Sequence, residues 1–154
     1  MHGAAFRALG LPHTYDKIET SAGELGDRVG ALRAGELAGL NVTVPHKTRV
    51  LELVDAVDPS ADATGAANTL VRTAAGSVRA FNTDAPALRD ELVALTKDAG
   101  RFRGRSALVL GTGGAARAAI FALGQLGVAR VVVRGRRKDP ADLASVLAAS
   151  GSNA

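Results

Sequence analysis

Cysteine is absent from the 154 residues of this chain, so it can build neither a disulfide framework nor a cysteine-based metal or redox site. Long apolar runs are also missing, since none approaches the roughly 18 residues that cross a bilayer. The first residues lack the basic-then-apolar layout of a secretory signal. His2, His13 and His46 show no metal-ligand spacing. We therefore expect a cytoplasmic protein with no membrane partner and no metal.

Aromatic residues make up only 3% of the chain, although the pI is near 10.1. The basic charge is concentrated in residues 99–154, which carry 9 Lys or Arg against 2 Asp or Glu, whereas residues 1–98 carry 10 against 13. A nucleic-acid binder would bind any duplex with a steep salt dependence. The few aromatics favour a phosphate-bearing small molecule instead, so we expect no nucleic-acid partner.

Helical and extended patterns alternate along the chain, which is typical of an α/β fold with a largely parallel sheet. Ser21 and Glu24 have the spacing of a capping box, and Pro45 suits the first turn of a helix that carries Lys47. The predicted helices cover 2–9, 22–32, 85–95, 115–126 and 141–149, and the predicted strands cover 14–20, 40–44, 68–73, 77–81, 107–110 and 130–133.

A linker is predicted over residues 97–105, and it divides the chain into two domains. Residues 1–97 are predicted to form an α/β domain. Residues 98–154 contain strand, helix, strand and helix in that order, which is the first βαβα part of a Rossmann domain.

A glycine-rich turn separates the strand predicted over 107–110 from the helix predicted over 115–126. Its residues are Gly111, Thr112, Gly113, Gly114 and Ala115. Glycines without a Cβ let backbone N–H groups and a helix N-terminus approach a pyrophosphate. This form is shorter than the full G-x-G-x-x-G pattern, and an ordinary tight turn is the alternative. Within a βαβ unit, we interpret it as a nucleotide-binding turn.

The end of the second strand of such a unit selects the cofactor, because NAD enzymes usually place an acidic residue there and NADP enzymes an arginine. Here the residues are Arg134, Gly135, Arg136, Arg137 and Lys138, with no carboxylate before Asp139. Arginine binds phosphate through two parallel hydrogen bonds. The pattern favours NADP, and a solvated basic loop is the alternative.

Three short polar clusters follow strand-like apolar runs, and they carry the candidate chemistry. Lys47 has the proton-donating group that a hydride transfer between ketone and alcohol requires, and Asp84 has a carboxylate that can orient it. A surface lysine and a helix-capping aspartate are the alternatives. Short hydrogen-bonding residues in the same clusters suit a polyhydroxylated substrate, although they also form turns. They are Asn41, Thr43, Asn68, Thr69 and Asn82.

Together these clusters resemble the shikimate dehydrogenase family. The motif N-V-T-x-P-x-K is complete at 41–47, G-A-x-N-T at 65–69 and N-T-D at 82–84. The resemblance implies reversible NADPH-dependent reduction of 3-dehydroshikimate to shikimate. It implies that Lys47 and Asp84 are the catalytic pair, that Thr43 and Asn68 bind substrate, and that residues 111–115 hold NADP.

The chain also departs from the family's pattern. The usual Asn-Arg after the second Rossmann strand is Arg134-Gly135 here, so Arg134, Arg136 or Arg137 is expected to contact the 2′-phosphate. The resemblance accounts for little more than half of the family's usual length, so both ends are expected to be missing. The isolated chain is expected to be poorly stable, to aggregate or not to turn over. A quinate/shikimate dehydrogenase with relaxed cofactor use and a non-catalytic nucleotide-binding remnant are the alternatives.

Overall fold

The computed structural model describes residues 2–135 and 141–151 and arranges their strands in two sheets. The helices are α1 (His2–Ala8), α2 (Leu25–Ala34), α3 (Pro59–Thr64), α4 (Asp84–Thr96), α5 (Gly114–Gln125) and α6 (Ala141–Ala149). The strands are β1 (Gly39–Asn41), β2 (Ala56–Val57), β3 (Thr69–Arg72), β4 (Val78–Phe81), β5 (Ser106–Leu110) and β6 (Arg130–Arg134). Short 3-10 helices cover Arg49–Glu52 and Ala99–Phe102. Within the described ranges, no helix has the length and apolar character needed to cross a membrane.

The first sheet has the strand order β1-β3-β4-β2. Its centre is the predicted hairpin, in which β3 and β4 pair antiparallel with Leu70 opposite Ala80. Gly76 has a positive φ of 87° in the connecting turn, a conformation that glycine adopts without steric cost. Strand β1 also pairs antiparallel with β3, whereas β2 runs parallel to β4.

The second sheet is the predicted βαβ unit. Strands β5 and β6 pair in parallel, with Val109 opposite Val133, and α5 connects them. The α/β fold class is therefore confirmed. The expectation of a largely parallel sheet fits this second sheet and the β2–β4 pair, while the two pairings of β3 are antiparallel.

The capping box before α2 is confirmed. The Ser21 N–H donates to Glu24 Oε2 at 2.8 Å, and the Glu24 N–H donates to Ser21 Oγ at 3.4 Å. The hydrogen bonds from Ser21 hold the pKa of the Glu24 carboxyl below its usual value. The helix begins at Leu25 rather than at residue 22, and it ends at Gly35, where φ is 87°.

The strand predicted over 14–20 is wrong, since this segment forms no regular structure and is mostly exposed. Alternation indicates a strand only where a partner strand offers hydrogen bonds, and none of the described strands pairs with these residues. Side chains hold the segment instead. The Tyr15 ring stacks on His2 with a centroid distance of 4.2 Å, and His46 Nε2 lies 2.7 Å from the Thr20 carbonyl oxygen.

The helix predicted to begin at Pro45 is also wrong. Pro45 follows a cis peptide bond and lies in a turn, and the first helical residues after it are Arg49–Glu52 in a 3-10 helix. Proline suits a tight turn as well as a helical first turn, so its position alone did not decide between them. Strand β1 correspondingly ends at Asn41 instead of continuing to residue 44.

Two separate apolar clusters form the core. The first lies where α2 packs on β3 and β4, and the second lies where α5 and α6 pack on β5. The buried members of the first include Leu25, Val29, Leu32, Leu70 and Val78, and those of the second include Val109, Ile120, Leu143 and Val146. Separate cores are consistent with the two predicted domains, and the boundary at residue 97 remains a prediction.

Asp55 and Asp58 connect the loops before β2 and α3 to the first sheet. The Val78 N–H and Arg33 hold the pKa of the Asp55 carboxyl below its usual value, and Ser60 and Arg79 do the same for Asp58. A depressed pKa means that the folded state favours the carboxylate, so the stabilisation is present above the ordinary pKa of about 4 and is lost as the pH falls through the folded-state pKa.

We therefore expect the free energy of unfolding to decrease as the pH is lowered from about 5 to about 3. Urea titrations across this range should show the decrease. In Asp55→Asn the slope of the unfolding free energy against pH should be shallower, because one of the carboxylates with a lowered pKa is gone, while Asp58 and Glu24 remain. An unchanged slope in that variant would remove Asp55 from this account.

Candidate active site

Lys47 and Asp84 form an ion pair although they lie 37 positions apart in the sequence. Lys47 Nζ donates to Asp84 Oδ2 at 2.5 Å. Lys47 follows the turn after β1, and Asp84 is the first residue of α4. The lysine side chain is 13% exposed and the aspartate side chain 34%. The amino group is therefore shielded while the pair remains accessible to a small molecule.

Backbone hydrogen bonds hold the Lys47 segment beside the segment that carries Asn68. The Ala67 N–H donates to the Lys47 carbonyl at 2.7 Å, and the Val42 N–H donates to the Asn68 carbonyl at 2.8 Å. These bonds extend the β1–β3 ladder, in which Asn41 lies opposite Thr69. The first two sequence motifs thus lie side by side, and they place the lysine at one end of the ladder.

Asn68 connects this ladder to Asp84. Its Nδ2 donates to Asp84 Oδ1 and to Thr83 Oγ1, each at 2.8 Å. Its Oδ1 accepts from the Thr83 N–H at 3.0 Å and from Thr69 Oγ1 at 3.0 Å. Asn68 is almost buried, so this network fixes one oxygen of Asp84 while the other oxygen accepts from Lys47.

Asn41 and Thr43 are exposed beside this network. Asn41 Nδ2 donates to the Asn68 carbonyl and to Thr69 Oγ1, each at 3.3 Å, and its Oδ1 accepts from the Tyr15 hydroxyl at 3.0 Å. The Thr43 carbonyl accepts from the His46 N–H at 2.9 Å and so begins the turn toward Lys47. The Asn41 side chain therefore lies on the rim of the cluster, and Thr43 is exposed two residues further along the chain.

Asn82 does not face this cluster, so the expectation that it suits a substrate contact is wrong. Its side chain is buried. Its Nδ2 donates to Thr64 Oγ1 at 3.0 Å and to the Ala66 carbonyl at 2.9 Å, while its Oδ1 accepts from the N–H groups of Asp84 and Ala85 at 3.0 and 3.1 Å. Asn82 therefore caps α4 and holds Asp84 in place.

The glycine turn joins β5 to α5 as predicted. Gly111 has a φ of 126°, and its N–H donates to the Arg134 carbonyl at 2.7 Å. A Cβ added to Gly113 would meet nothing within 4 Å, so open space lies in front of the turn. The first N–H groups of a helix lack partners within that helix, and these are the groups that bind a pyrophosphate. The turn fits such a group.

Gly114, the first residue of α5, lies directly against Lys47. A Cβ added to Gly114 would lie 2.8 Å from Lys47 Cβ and 2.8 Å from Lys47 Cδ. Only a residue without a side chain permits this approach. The glycine turn and the Lys47–Asp84 pair are therefore adjacent, which the sequence motifs alone did not establish.

Arg134 ends β6 next to the glycine turn. The following Gly135 also lies close to it, because a Cβ at this position would lie 2.6 Å from Thr112 Cγ2. Glycine after Arg134 thus allows the chain to pass against the turn. Arg136 and Arg137 lie outside the described residues, so their predicted contact with a 2′-phosphate remains a prediction.

Several members of the network were not singled out from the sequence. Tyr15 donates a hydrogen bond to Asn41, Thr83 accepts one from Asn68, and Thr64 accepts one from Asn82.

Helix α3, which carries Thr64, was missed as well. Its signals were present in the sequence, because Asp58 caps it, Pro59 opens it and Gly65 ends it with a φ of 59°, a pattern typical of short helices.

Comparisons with known proteins agree with these motifs. The family described as "Shikimate dehydrogenase substrate binding domain" matches residues 1–70. A shikimate dehydrogenase (NADP(+)) from Anaeromyxobacter sp. (strain K) is 46% identical over 150 residues, which are 97% of this chain and 52% of that protein. The chain thus spans about half the length of the curated relatives it matches.

Solved structures resemble the fold as well. The shikimate 5-dehydrogenase from Thermus thermophilus in complex with NADP(H) and shikimate has a TM-score of 0.77 and 34% identity, covering 98% of this chain and 54% of that chain. The shikimate 5-dehydrogenase from Mycobacterium fortuitum has a TM-score of 0.72 and 42% identity, covering 98% and 54%. This chain is therefore similar to these enzymes both in sequence and in the arrangement of its helices and strands.

Proposed function

Because this chain belongs to the shikimate dehydrogenase family, we propose that it carries the reaction centre of an NADP-dependent shikimate dehydrogenase. The reaction is the reversible reduction of 3-dehydroshikimate to shikimate with NADPH. The observation that carries this proposal is that Lys47, paired with Asp84, lies against Gly114 of the glycine turn, where α5 begins. Hydride transfer needs a proton donor and a cofactor at the same place.

Lys47 is the proton-transferring residue in this proposal. Bound NADPH supplies the hydride to the carbonyl carbon of the substrate. Lys47 Nζ gives a proton to the carbonyl oxygen in the same direction, and in the reverse direction it takes the proton from the hydroxyl group. Asp84 Oδ2 accepts from Nζ at 2.5 Å and so orients it. The low exposure of the lysine limits competing hydrogen bonds with water.

Asn68, Asn41 and Thr43 are the proposed substrate-binding residues. Asn68 donates to both Thr83 Oγ1 and Asp84 Oδ1, so in this proposal it contacts a substrate hydroxyl group by exchanging its hydrogen bond with Thr83 while it keeps the one that fixes Asp84. Asn41 is exposed and bonded to the same network, and Thr43 is exposed two residues after it. Amide and hydroxyl groups of this kind can recognise a polyhydroxylated ring.

The glycine turn is the proposed NADP site. Gly111, Thr112, Gly113, Gly114 and Ala115 would hold the pyrophosphate at the N-terminus of α5. Arg134, together with Arg136 and Arg137, is proposed to bind the 2′-phosphate. The corresponding division of the chain is a substrate domain over 1–97 and a nucleotide domain over 98–154, which the two separate cores support.

The purified chain with NADPH and 3-dehydroshikimate tests this function directly. We expect saturable binding of NADPH and of shikimate in calorimetric titrations. NADPH consumption with matching formation of shikimate would show in addition that the part of the relatives' length present here is sufficient for turnover. Quinate in place of shikimate in the reverse direction separates the related quinate/shikimate activity. If neither ligand binds and no product forms, the proposed function is wrong and a remnant without activity is the better interpretation.

The basic end of β6 makes a separate prediction about cofactor choice. Arg134→Ala should raise the Kd for NADPH by about 10-fold or more, because a hydrogen bond to a charged group contributes about 1.5–3 kcal/mol. The Kd for NADH should stay nearly constant, since NADH lacks the 2′-phosphate. Arg130→Ala, at the opposite end of the same strand, is the control and should change neither value. Equal weakening of both cofactors by Arg134→Ala would contradict a role at the 2′-phosphate.

A further inference from the structure

Two residues on one face of helix α5 lie against residues of the predicted first domain (1–97) that belong to the sequence motifs. Gly114 and Arg117 lie three positions apart, so they point in nearly the same direction. Gly114 lies against Lys47, and Arg117 lies against Gly65. Helix α5 also packs on α4 and α3 along this face. The two contacts have the same form. In each, a long basic side chain from one predicted domain lies over a glycine of the other.

The Arg117 contact is as close as the Lys47 contact. A Cβ added to Gly65 would lie 2.8 Å from Arg117 Nη1 and 3.8 Å from its Cζ. Gly65 ends α3 in the left-handed conformation with a φ of 59°, and it opens the motif that continues to Asn68. Arg117 therefore reaches from the helix of the glycine turn to the segment that positions the Asn68–Asp84 network.

We propose that Arg117 is a positioning residue, which fixes the orientation of the glycine turn relative to the Lys47–Asp84 pair by seating its guanidinium group against Gly65. This inference deepens the proposed function and rests on it for its catalytic consequence. Helix α5 already packs on α4 and α3, and Gly114 places its first turn against Lys47. The contact of Arg117 with Gly65 links the next turn of α5 to the segment that continues to Asn68, so a shift of α5 along α4 would break this contact.

Orientation matters here because hydride transfer depends on the placement of the reacting atoms, and a displacement of about 1 Å can lower the rate about 10²-fold. The guanidinium group is planar and rigid, whereas a lysine amine is a compact point charge on a flexible stem. Arg117→Lys should therefore restore part of what Arg117→Ala loses.

The absence of cysteine from the chain allows a ligand-free test by spin labelling. Asp27→Cys on α2 and Gln125→Cys at the end of α5 give one exposed label site in each predicted domain. We expect a narrow distribution of distances between the labels in the otherwise unchanged chain. Arg117→Ala should broaden or shift it, and Arg117→Lys should lie between the two.

Arg89→Ala is the matched control, because Arg89 pairs with Asp90 on its own helix α4 and should leave the distribution narrow. Arg117→Met, which keeps the apolar stem of the side chain, separates loss of the guanidinium group from loss of packing. An unchanged distribution in Arg117→Ala and Arg117→Met would overturn the proposal. Equal broadening in Arg89→Ala would overturn it as well.

A double-mutant cycle gives a second measurement. Gly65→Ala places a Cβ where Arg117 Nη1 lies and also strains the backbone at a positive φ. The strain is present with or without Arg117, so it cancels in the cycle. The decrease in Tm caused by Gly65→Ala should be smaller in the Arg117→Ala background than in the parent chain. Additive decreases would contradict a contact between the two residues.

Both measurements are made without ligand, so they separate this inference from the proposed function. Turnover in the parent chain with an unchanged label distribution in Arg117→Ala would reject the inference and keep the function. A broadened distribution in a chain that binds neither NADPH nor shikimate would keep the placement of α5 by Arg117 and reject the function. Where turnover is present, Arg117→Ala should lower kcat more than it raises KM for either substrate.

Discussion

Lys47→Ala is expected to lower kcat for the reduction of 3-dehydroshikimate by about 10²–10⁴-fold, the range that a positioned proton-transferring side chain contributes. The Kd for NADPH should remain within about threefold of its original value, because the proposed cofactor contacts are made by the glycine turn and by the arginines from Arg134 onward, and none is made by Lys47. Steady-state rates and fluorescence titrations of NADPH measure the two quantities separately.

The physical reason is the position of Nζ. It is held at 2.5 Å from Asp84 Oδ2, and Asp84 is held in turn by Asn68. Alanine removes the amino group and leaves Asp84 without its cationic partner. Solvent water can still donate a proton, but it is not oriented toward the carbonyl oxygen.

Lys97→Ala is the control for this experiment, because it removes a lysine that ends α4 and is exposed. Its kcat should stay close to that of the parent chain. Near-normal turnover in Lys47→Ala would exclude Lys47 as the proton-transferring residue. An equal loss in both variants would indicate that charge or folding, rather than proton transfer, determines the rate.

Local sequence signals predicted those parts of the fold whose causes are local. The capping box of Ser21 with Glu24 is such a case, because its hydrogen bonds join residues three positions apart. The β3–β4 hairpin and helices α4, α5 and α6 were likewise predicted to within about two residues. Each has a clear apolar period bounded by a turn residue or a cap.

The errors occurred where distant residues decide the outcome. The alternation over 14–20 resembles a strand, yet a strand needs a partner, and no described strand pairs with that segment. Pro45 is compatible with a helix start and with a turn, and the cis peptide bond that precedes it could not be foreseen from its neighbours. The directions of the strand pairs also depend on connections that local patterns do not specify.

The candidate site was predicted by residue type but not by geometry. Lys47 and Asp84 were selected from separate motifs, and the structure brings them into contact. Their proximity to Gly114 depends on the packing of α5 against the first half of the chain. Asn82 shows the opposite case. An amide next to the candidate catalytic aspartate suggests ligand binding, but Asn82 is buried and caps α4.

Asn82→Ala is therefore expected to destabilise the chain strongly, by about 2–4 kcal/mol in the free energy of unfolding. Loss of a helix cap costs about 0.5–2 kcal/mol, and each buried group left without a partner costs about 1–3 kcal/mol. The substitution deprives the N–H groups of Asp84 and Ala85 of their acceptor. It also removes one of the two donors to the Ala66 carbonyl, which keeps its hydrogen bond from Thr64 Oγ1. Urea unfolding followed by circular dichroism measures the change.

Asn41→Ala is the matched control, because it removes the same amide from an exposed position. It should cost about 1 kcal/mol or less, since water can replace the lost hydrogen bonds. A small loss in Asn82→Ala, equal to that of the control, would contradict the capping role. A large loss of stability in Asn82→Ala would instead indicate that Asn82 affects the reaction indirectly, because it holds Asp84 where Lys47 can reach it.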